Sequence, residues 1–220
     1  MSIWAVLVAA GRGERLGEDR PKAFVRLGEL PLLAEPLRRL DESAWIDHVV
    51  VVAPPEWEEP AILLAEELGA SKVTACVTGG ETRTESVRAG VAEVPEDVDA
   101  ILVHDAARPL LPDDVIERVV MALRDGCDGA VPALPAADTV KRVDGDVVVE
   151  TPPRADLVAV QTPQGFVAAV LRAALAAGEE GSDCASLVER NGGRVKVVRG
   201  DERLLKVTTR ADLERVASWL

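Results

Sequence analysis

The chain has 220 residues, of which 48% are hydrophobic and 29% are charged, and its formal net charge at pH 7 is −13. This length and composition predict one globular domain over residues 1–220 and exclude a disordered chain. The acidic charge disfavours general nucleic-acid binding, because neutralising nucleic-acid phosphates requires a basic face. It still permits a small anionic ligand where a few cationic groups converge.

Three cysteines, Cys76, Cys127 and Cys184, lie far apart and outside any Cys-x-x-Cys pair. This spacing indicates neither a zinc ribbon nor a disulfide framework. No apolar run approaches the roughly 18 residues that a membrane-spanning helix needs, and the first residues lack the pattern of a secretory signal. We therefore expect a cytoplasmic protein with no membrane partner.

Short apolar runs alternate with amphipathic segments through the first 135 residues. The apolar runs predict strands buried on both faces, at 3–9, 48–53, 72–77, 100–103 and 129–132. The segments between them have helical spacing, at 32–40, 56–68, 82–92 and 113–123. This alternation predicts a Rossmann-like three-layer α/β/α fold with a mostly parallel sheet.

The alternation stops after about Pro135. Two short runs, 139–143 and 147–150, flank the turn Asp144-Gly145-Asp146, which predicts a protruding β-hairpin arm over about residues 136–156. A hairpin with so little apolar surface is not stable alone, so we expect the arm to pack on the domain or on a partner subunit. A helix over 163–176, a strand over 194–198 and a helix over 209–220 complete the prediction.

A glycine-rich loop follows the first strand, with the sequence Ala9-Ala10-Gly11-Arg12-Gly13-Glu14-Arg15-Leu16-Gly17, and Pro21-Lys22 come shortly after it. Gly11 and Gly13 would let backbone N–H groups point at a phosphate, and Arg15 and Lys22 would add positive charge. A flexible glycine turn with solvated charges is the alternative interpretation.

Two familiar phosphate-binding motifs do not fit this loop. It lacks the Gly-Lys-Ser/Thr of a P-loop. A dinucleotide-binding fingerprint needs glycine where Leu16 stands, and Pro21 prevents a long helix there, which disfavours an NAD-dependent oxidoreductase. The loop instead resembles the signature loop of nucleotidyltransferases that activate sugars and polyols, in which it wraps the nucleoside triphosphate.

Two further motifs follow predicted strands. Gly79-Gly80-Glu81-Thr82-Arg83-Thr84-Glu85-Ser86 could present backbone N–H groups and a hydroxyl to a base or ribose, although a loop with helix caps has the same composition. In His104-Asp105-Ala106-Ala107-Arg108-Pro109, Asp105 is an oxygen ligand of the kind that suits Mg²⁺ held mainly by substrate phosphates. Arg108 could bind an anionic substrate, an Asp–Arg surface ion pair is the alternative, and we interpret His104 as structural. Because ligands of open α/β sheets bind beyond the carboxyl ends of the strands, we expect all three loops to form one site.

Together these motifs resemble the 2-C-methyl-D-erythritol 4-phosphate cytidylyltransferase family over nearly the whole chain. The likeness extends to Asp138-Thr139-Val140-Lys141, Arg154, Thr162-Pro163-Gln164 and Lys206-Val207-Thr208. It implies a Mg²⁺-assisted reaction of CTP with 2-C-methyl-D-erythritol 4-phosphate, in the non-mevalonate route to isoprenoids. The products would be 4-diphosphocytidyl-2-C-methyl-D-erythritol and pyrophosphate. A related enzyme with another acceptor, such as ribitol 5-phosphate, is the nearest alternative.

The resemblance also implies roles for individual residues. Arg15, Lys22 and Lys206 would stabilise the reacting phosphate. The nucleotide would be bound by Ala9, Ala10, Gly11, Gly13, Gly80, Glu81 and Ser86. The polyol phosphate would be bound by Asp105, Arg108, Thr139, Arg154 and Thr162, with Asp105 also the metal ligand. Family members are homodimers whose arm reaches the neighbouring subunit, so Thr139 and Arg154 are candidates to act in trans.

Three positions depart from the family pattern. Ala23 stands where the family often has Gln, Cys184 replaces a usual acid, and Leu204-Leu205 precede Lys206 where Asn is common. None of them is a proposed charged contact, so they affect the sub-family more than the chemistry.

The proposed chemistry needs no general base. A phosphate monoester has a second pKa of about 6, so the attacking phosphate is largely dianionic near neutral pH. The sequence accordingly has no convincing Ser-His-Asp or paired-carboxylate arrangement. A non-catalytic nucleotide-binding regulator is a further alternative, which Lys22, Asp105 and Lys206 together disfavour because binding alone needs fewer charged groups.

Overall fold

The computed structural model describes residues 1–11, 13, 16–17 and 19–220. Its strands are β1 (Ile3–Val8), β2 (Arg26–Leu27), β3 (Leu30–Pro31), β4 (His48–Ala53), β5 (Val73–Thr78), β6 (Ala100–Asp105), β7 (Gly129–Pro135), β8 (Arg142–Asp144), β9 (Val147–Glu150), β10 (Val158–Val160), β11 (Gln164–Val167) and β12 (Val195–Arg199). Its α-helices are α1 (Ala34–Glu42), α2 (Glu58–Glu67), α3 (Arg83–Ala92), α4 (Asp113–Arg124), α5 (Ala168–Ala176), α6 (Cys184–Arg190) and α7 (Arg210–Ala217). Short 3₁₀ helices span Lys22–Phe24, Arg154–Asp156 and Glu202–Leu204.

A central sheet contains β10, β7, β11, β6, β1, β4 and β5 in that order, and β12 also pairs with β7. Strands β1, β4, β5, β6, β7 and β12 run parallel to one another, whereas β10 and β11 run antiparallel to them. The carboxyl ends of β1, β4, β5 and β6 therefore meet at one edge. That edge is where an open α/β sheet binds its ligand.

Helices cover both faces of this sheet. Along β1, Ala5 and Leu7 belong to a core with α1, α2 and α4, whereas Trp4 and Val6 belong to a second core with α3, α5 and α6. Successive side chains of a strand point to opposite faces, so a strand between two helical layers is apolar at every position. The predicted three-layer α/β/α fold with a mostly parallel sheet is confirmed.

The predicted helix over 163–176 is wrong in its first part. Residues 164–167 form β11, which pairs with both β6 and β7, and α5 begins only at Ala168. The apolar residues of this short strand run directly into those of the helix, so periodicity does not separate the two. Strand β10 and helix α6 were not predicted either.

Strands β10 and β11 are two halves of one antiparallel path along β7, interrupted at residues 161–163. Val160 lies opposite Ala133 and Gly165 lies opposite Ala130, so five steps along one strand face three along the other. The extra residues bulge out of the ladder, and the Thr162–Pro163 peptide is cis. A bulge re-aims a side chain, and here the hydroxyl of Thr162 contacts the end of β6.

The predicted arm is a hairpin of β8 and β9, which pair only with each other. A two-residue turn joins them, and Gly145 in this turn has φ 59°, a left-handed conformation that glycine adopts without strain. Every residue of both strands is exposed. Within the described residues, no helix is both long and apolar enough to cross a membrane.

Candidate active site

A cleft of about 1060 Å³ opens at the carboxyl ends of β1, β4, β5 and β6. Most residues predicted to bind the nucleotide or the reacting phosphate line it. Those residues are Ala9, Ala10, Gly11, Gly13, Lys22, Gly80, Glu81, Ser86 and Lys206, and Asp105, predicted to bind the acceptor and the metal, lines the cleft as well. Arg15, which was also predicted to act there, lies outside the described residues.

The first loop is held against the segment that carries Lys22. Gly13 has φ 72°, and a Cβ built on it would lie 2.5 Å from the Cβ of Lys22. Only a glycine can therefore occupy this position while the loop stays in place. The Nζ of Lys22 donates to the carbonyl of Val207 at 3.3 Å, so Lys22 lies next to the segment that carries Lys206. The two lysines share one side of the molecule.

The second loop is shaped by its glycines and by Ser86. A Cβ on Gly79 would lie 2.3 Å from the Cβ of Ala10, so glycine brings this loop against the end of β1. The Ser86 hydroxyl accepts from the N–H of Gly80 at 3.2 Å and donates to the carbonyl of Thr82 at 3.0 Å. Thr82 and Glu85 form a capping box at the start of α3. The cap that the alternative interpretation expected is present, and the loop lines the cleft as well.

The third loop places a charged cluster at the end of β6. The Oδ1 of Asp105 accepts from the Nε and Nη2 of Arg83 at 3.0 and 2.9 Å, and its Oδ2 accepts from the Nζ of Lys206 at 2.8 Å. Burial alone would raise the pKa of Asp105, but the charges of Arg83 and Lys206 outweigh burial and hold this pKa well below its usual range. Asp105 is therefore ionised, and the three side chains together carry one positive charge.

Beneath this cluster lies a buried polar group around His104. Its Nε2 lies 3.0 Å from the carbonyl oxygen of Arg108, and its Nδ1 lies 3.0 Å from the Oγ1 of Thr162. That same Oγ1 accepts from the N–H of Asp105 at 3.1 Å. Desolvation lowers the pKa of His104 to about 4, so the imidazole is neutral at neutral pH. This fits the structural interpretation of His104.

Arg108 lies beside the cleft, and its guanidinium is partly engaged. Its Nη1 donates to the carbonyl of Leu204 at 2.6 Å and its Nη2 to that of Val160 at 3.4 Å. Its Nε is buried and has no hydrogen-bond partner among the described residues. Burial lowers the pKa of Arg108, which still stays protonated because a guanidinium does not lose its proton in proteins.

Besides Arg108, three more of the five predicted acceptor-binding residues do not line the cleft of their own chain. Thr162 is buried under Asp105, with 4% of its surface exposed. Thr139 and Arg154 lie on the exposed arm, where the Nη1 of Arg154 donates to the carbonyl of Ala137 at 3.0 Å. Thr162 is outside the cleft because the bulge in the sheet places it beneath Asp105. Thr139 and Arg154 are outside it because the arm is separate from the cleft.

The sequence analysis assigned no role to several supporting residues. Arg83 carries the ion pair with Asp105, and its Nη1 also lies 3.5 Å from the Sγ of Cys184. Gln161 exchanges two hydrogen bonds with the backbone of Asp201, ahead of Lys206, and Gln164 bonds the Asp183 side chain and the N–H groups that begin α6. These are the only glutamines of the chain and they flank Thr162, a signal that could have identified them.

The donor set of the cleft fits a magnesium ion completed by substrate. Among the described residues, no group of three or more His, Cys, Asp or Glu side chains could hold a metal ion. Mg²⁺ is often bound by one or two carboxylates together with phosphate oxygens. Asp105 supplies such a carboxylate, and an ionised carboxylate has lone pairs beyond those that Arg83 and Lys206 use.

Comparison with known proteins agrees with this geometry. The family model for 2-C-methyl-D-erythritol 4-phosphate cytidylyltransferase matches residues 3–220. A protein of that name from Nocardia farcinica is 50% identical over 220 residues, which is 100% of this chain and 94% of the relative. Another from Streptomyces avermitilis is 47% identical over 219 residues, covering 95% of this chain and 88% of the relative.

Solved structures agree as well. The crystal structure of 2-C-methyl-D-erythritol 4-phosphate cytidylyltransferase from Thermus thermophilus superposes with a TM-score of 0.80 at 33% identity, covering 100% of this chain and 98% of the other. A 4-diphosphocytidyl-2C-methyl-D-erythritol synthase from Anaerococcus prevotii superposes with a TM-score of 0.83 at 26% identity, covering 99% and 97%. The chain therefore belongs to the 2-C-methyl-D-erythritol 4-phosphate cytidylyltransferase family.

Proposed function

We propose that this protein transfers the cytidylyl group of CTP to 2-C-methyl-D-erythritol 4-phosphate, giving 4-diphosphocytidyl-2-C-methyl-D-erythritol and pyrophosphate. One observation carries the proposal. Lys22 and Lys206 come from opposite ends of the chain, and both line a cleft walled by three strand-end loops. Two mutually repelling phosphates need such a concentration of positive charge in order to meet, and the protein as a whole has a net charge of −13.

The reaction is an in-line displacement at the α-phosphorus of CTP. A phosphate oxygen of the acceptor forms the new O–P bond, the bond from the α-phosphorus to the bridging oxygen breaks, and pyrophosphate leaves with that electron pair. The acceptor phosphate is already largely dianionic near neutral pH, so no side chain has to remove a proton. Lys22, Lys206 and, by family resemblance, Arg15 stabilise the negative charge on the five-coordinate phosphorus.

Asp105 has two roles in this proposal. It holds Lys206 and Arg83 in fixed positions through three hydrogen bonds, so the cations are oriented before the substrates bind. It would also hold Mg²⁺ together with the substrate phosphates. When bound, that ion supplies further neutralisation of phosphate charge and orients the triphosphate.

The acceptor half of the site involves the arm of a second subunit. Val143, Val147, Val148 and Val149 on the arm are each more than half exposed, which favours a partner that covers them. A homodimer in which each arm reaches the other subunit would bring Thr139 and Arg154 to the partner's Asp105 and Arg108. The acceptor phosphate would then be bound by groups from both chains.

The test is a matrix of nucleotides and acceptors. Pyrophosphate release is measured with CTP, ATP, GTP and UTP against 2-C-methyl-D-erythritol 4-phosphate and ribitol 5-phosphate. We expect turnover with CTP and the methylerythritol substrate, its loss on chelation with EDTA and its recovery on addition of Mg²⁺. Equal or faster turnover of ribitol 5-phosphate would transfer the assignment to that acceptor, and no release with any pair would contradict catalysis.

A further inference from the structure

His104 is fully buried and does not line the cleft, yet both of its ring nitrogens contact groups of the acceptor half of the site. Nε2 faces the backbone carbonyl of Arg108, and Nδ1 faces the hydroxyl of Thr162, each at 3.0 Å. The chemistry proposed above gives this side chain no part in proton transfer. Its position between Arg108 and Thr162, next to Asp105, calls for another explanation.

The hydrogen positions in this group follow from its partners. A carbonyl oxygen can only accept, so Nε2 carries the proton and donates to Arg108. In a neutral imidazole Nδ1 is then an acceptor, so the Thr162 hydroxyl donates to it. The Thr162 oxygen in turn accepts from the N–H of Asp105. One continuous chain of hydrogen bonds therefore runs from the backbone of Asp105 to the backbone of Arg108.

This series of hydrogen bonds links both ends of a tight turn, Asp105 and Arg108. The N–H of Arg108 donates to the carbonyl of Asp105 at 2.9 Å, which closes the turn on the cleft side. The path through Thr162 and His104 closes it on the buried side and links it to the bulge between β10 and β11. We propose that His104 is a positioning residue for the acceptor phosphate, acting by fixing the Asp105–Arg108 turn through Thr162. This proposal rests on the function proposed above.

The same network revises the expected role of Thr162. Its single hydroxyl proton is donated to His104, so it has no proton left to give to a polyol phosphate. Thr162 therefore acts on the acceptor site from beneath, by orienting Asp105. Small displacements of positioning groups cost large factors in rate or binding, which is why loss of a buried link can reach the substrate.

Two conservative substitutions at His104 test its two hydrogen bonds separately. In His104→Asn, the shorter amide can keep an acceptor for the Thr162 hydroxyl but cannot reach the Arg108 carbonyl. In His104→Gln, the longer amide can keep a donor for that carbonyl but loses the acceptor for Thr162. His104→Leu removes both. His48→Gln is the matched control, because His48 is the only other histidine and is exposed.

The experiment measures initial rates with CTP and 2-C-methyl-D-erythritol 4-phosphate varied in turn, together with thermal unfolding of each variant. We expect His104→Leu to raise the acceptor KM by about tenfold, the size of effect that a lost buried hydrogen bond or two produces. We expect a smaller rise for Asn and Gln and a KM for CTP within about twofold of the wild type. His48→Gln should match the wild type in all constants.

A double-mutant cycle links His104 to Thr162. Thr162→Val removes the same link as His104→Gln, so the double variant should have an acceptor KM no higher than the worse single variant. Thr162→Ser should raise the acceptor KM less than Thr162→Val does, because it keeps the hydroxyl. If every His104 variant fails to fold, Thr162→Val should still raise the acceptor KM above that of Thr162→Ser, and equal acceptor KM values for these two variants would overturn the proposal.

The outcomes separate this proposal from the proposed function. Equal KM rises for CTP and acceptor, in step with lost thermal stability, would mean that His104 supports only the fold, and so would an unchanged acceptor KM in a folded His104→Leu. Additive effects in the cycle would contradict the link through Thr162. A wild-type protein without turnover would instead contradict the proposed function.

Discussion

The cleft and the arm of this protein are built in opposite ways. In the cleft, charged side chains hold one another, as the buried Asp105 does with the partly buried Arg83 and Lys206. On the arm, the valines are exposed, and so are Thr139 and Arg154. A site that is preoriented within one chain can bind the nucleotide alone, whereas an exposed hairpin needs another surface to complete it. In the proposed homodimer, the nucleotide half of the site would be made by one subunit and the acceptor half would be shared by two.

The largest expected effect tests the cleft. Lys206→Ala, or Lys22→Ala, should lower kcat by about 10²- to 10³-fold, because each removes a positive group from the transition state. Pyrophosphate release at saturating substrates measures it. Lys196→Ala is the control, since Lys196 is a half-exposed lysine on β12 whose ion pair with Asp125 is on the surface. A kcat for Lys206→Ala within a few-fold of the Lys196 control would remove Lys206 from the mechanism.

The next prediction tests whether the His104 imidazole, which lies under the cleft, is shielded from water. The pKa of His104 is about 4 in the folded protein and about 6.5 in an unfolded chain, so between these values only the unfolded state takes up the proton. Stability is nearly unaffected above about pH 7.5 and falls as the pH drops towards 4. Between pH 7.5 and 5 this residue should cost about 2 kcal/mol of unfolding free energy.

Denaturant titrations at pH 7.5, 6 and 5 measure this loss, with His104→Asn as the comparison, because it lacks the titrating ring. The variant should lose about 2 kcal/mol less than the wild type over this range. Asp105 does not interfere, since its lowered pKa contributes stability that is lost only below about pH 4, the ordinary value of a carboxyl group. Parallel curves for the two proteins would mean that water reaches the imidazole.

Features set by a local sequence pattern could be predicted, whereas features set by contacts between residues distant in sequence could not. The parallel strands were predicted because both of their faces are buried, which leaves continuous apolar runs such as β4. Their carboxyl ends then placed Gly13, Gly80 and Asp105 at one edge through topology alone. The four residues of β11 were missed because pairing with β6 and β7, rather than any local pattern, makes them a strand.

The contacts within the site were less predictable for the same reason. The pairing of Arg83 with Asp105 depends on where α3 lies against the sheet. The hydrogen bond between Thr162 and His104 depends on a bulge that the nearby sequence does not predict. In the proposed homodimer, the contacts of Thr139 and Arg154 would depend on a second chain. Sequence motifs predicted the chemistry and the edge of the sheet where the site lies. They did not predict which side chains contact one another, because packing determines those contacts.

A smaller effect tests the arm. Arg154→Ala should raise the acceptor KM about tenfold and change kcat little, because an exposed cation that binds the phosphate would be lost without disturbing the cleft. Initial rates at saturating CTP, with the methylerythritol substrate varied, measure both constants. Arg142→Ala on the same arm is the control, since Arg142 pairs with Glu150 across the hairpin at 2.6 Å. Equal KM values for the two variants would argue against a role of Arg154 in acceptor binding.

Mixing two defective proteins tests whether the arm acts in trans. In a dimer of one Arg154→Ala chain and one Lys206→Ala chain, an exchanged arm leaves one site with both residues intact. At low acceptor concentration, random reassortment should restore activity at about a quarter of the sites. Activity no greater than the sum of the separate variants would mean that each arm serves its own subunit or none.

The smallest effect tests how independently the arm and the cleft are stabilised. Gly145→Ala places a side chain at a left-handed turn residue, which should weaken the arm by about 1 kcal/mol. Because β8 and β9 pair only with each other, the free energy of global unfolding should change by less than about 0.5 kcal/mol. Hydrogen exchange should accelerate about fivefold in β8 and β9 and stay unchanged in β1 and β6.

Gly13→Ala is the counterpart in the cleft, where the new Cβ meets Lys22, and it should reduce turnover strongly. If Gly145→Ala lowered the free energy of global unfolding by the full amount of about 1 kcal/mol, the arm would be part of the same cooperative unit as the cleft, and the division between the two regions would be wrong.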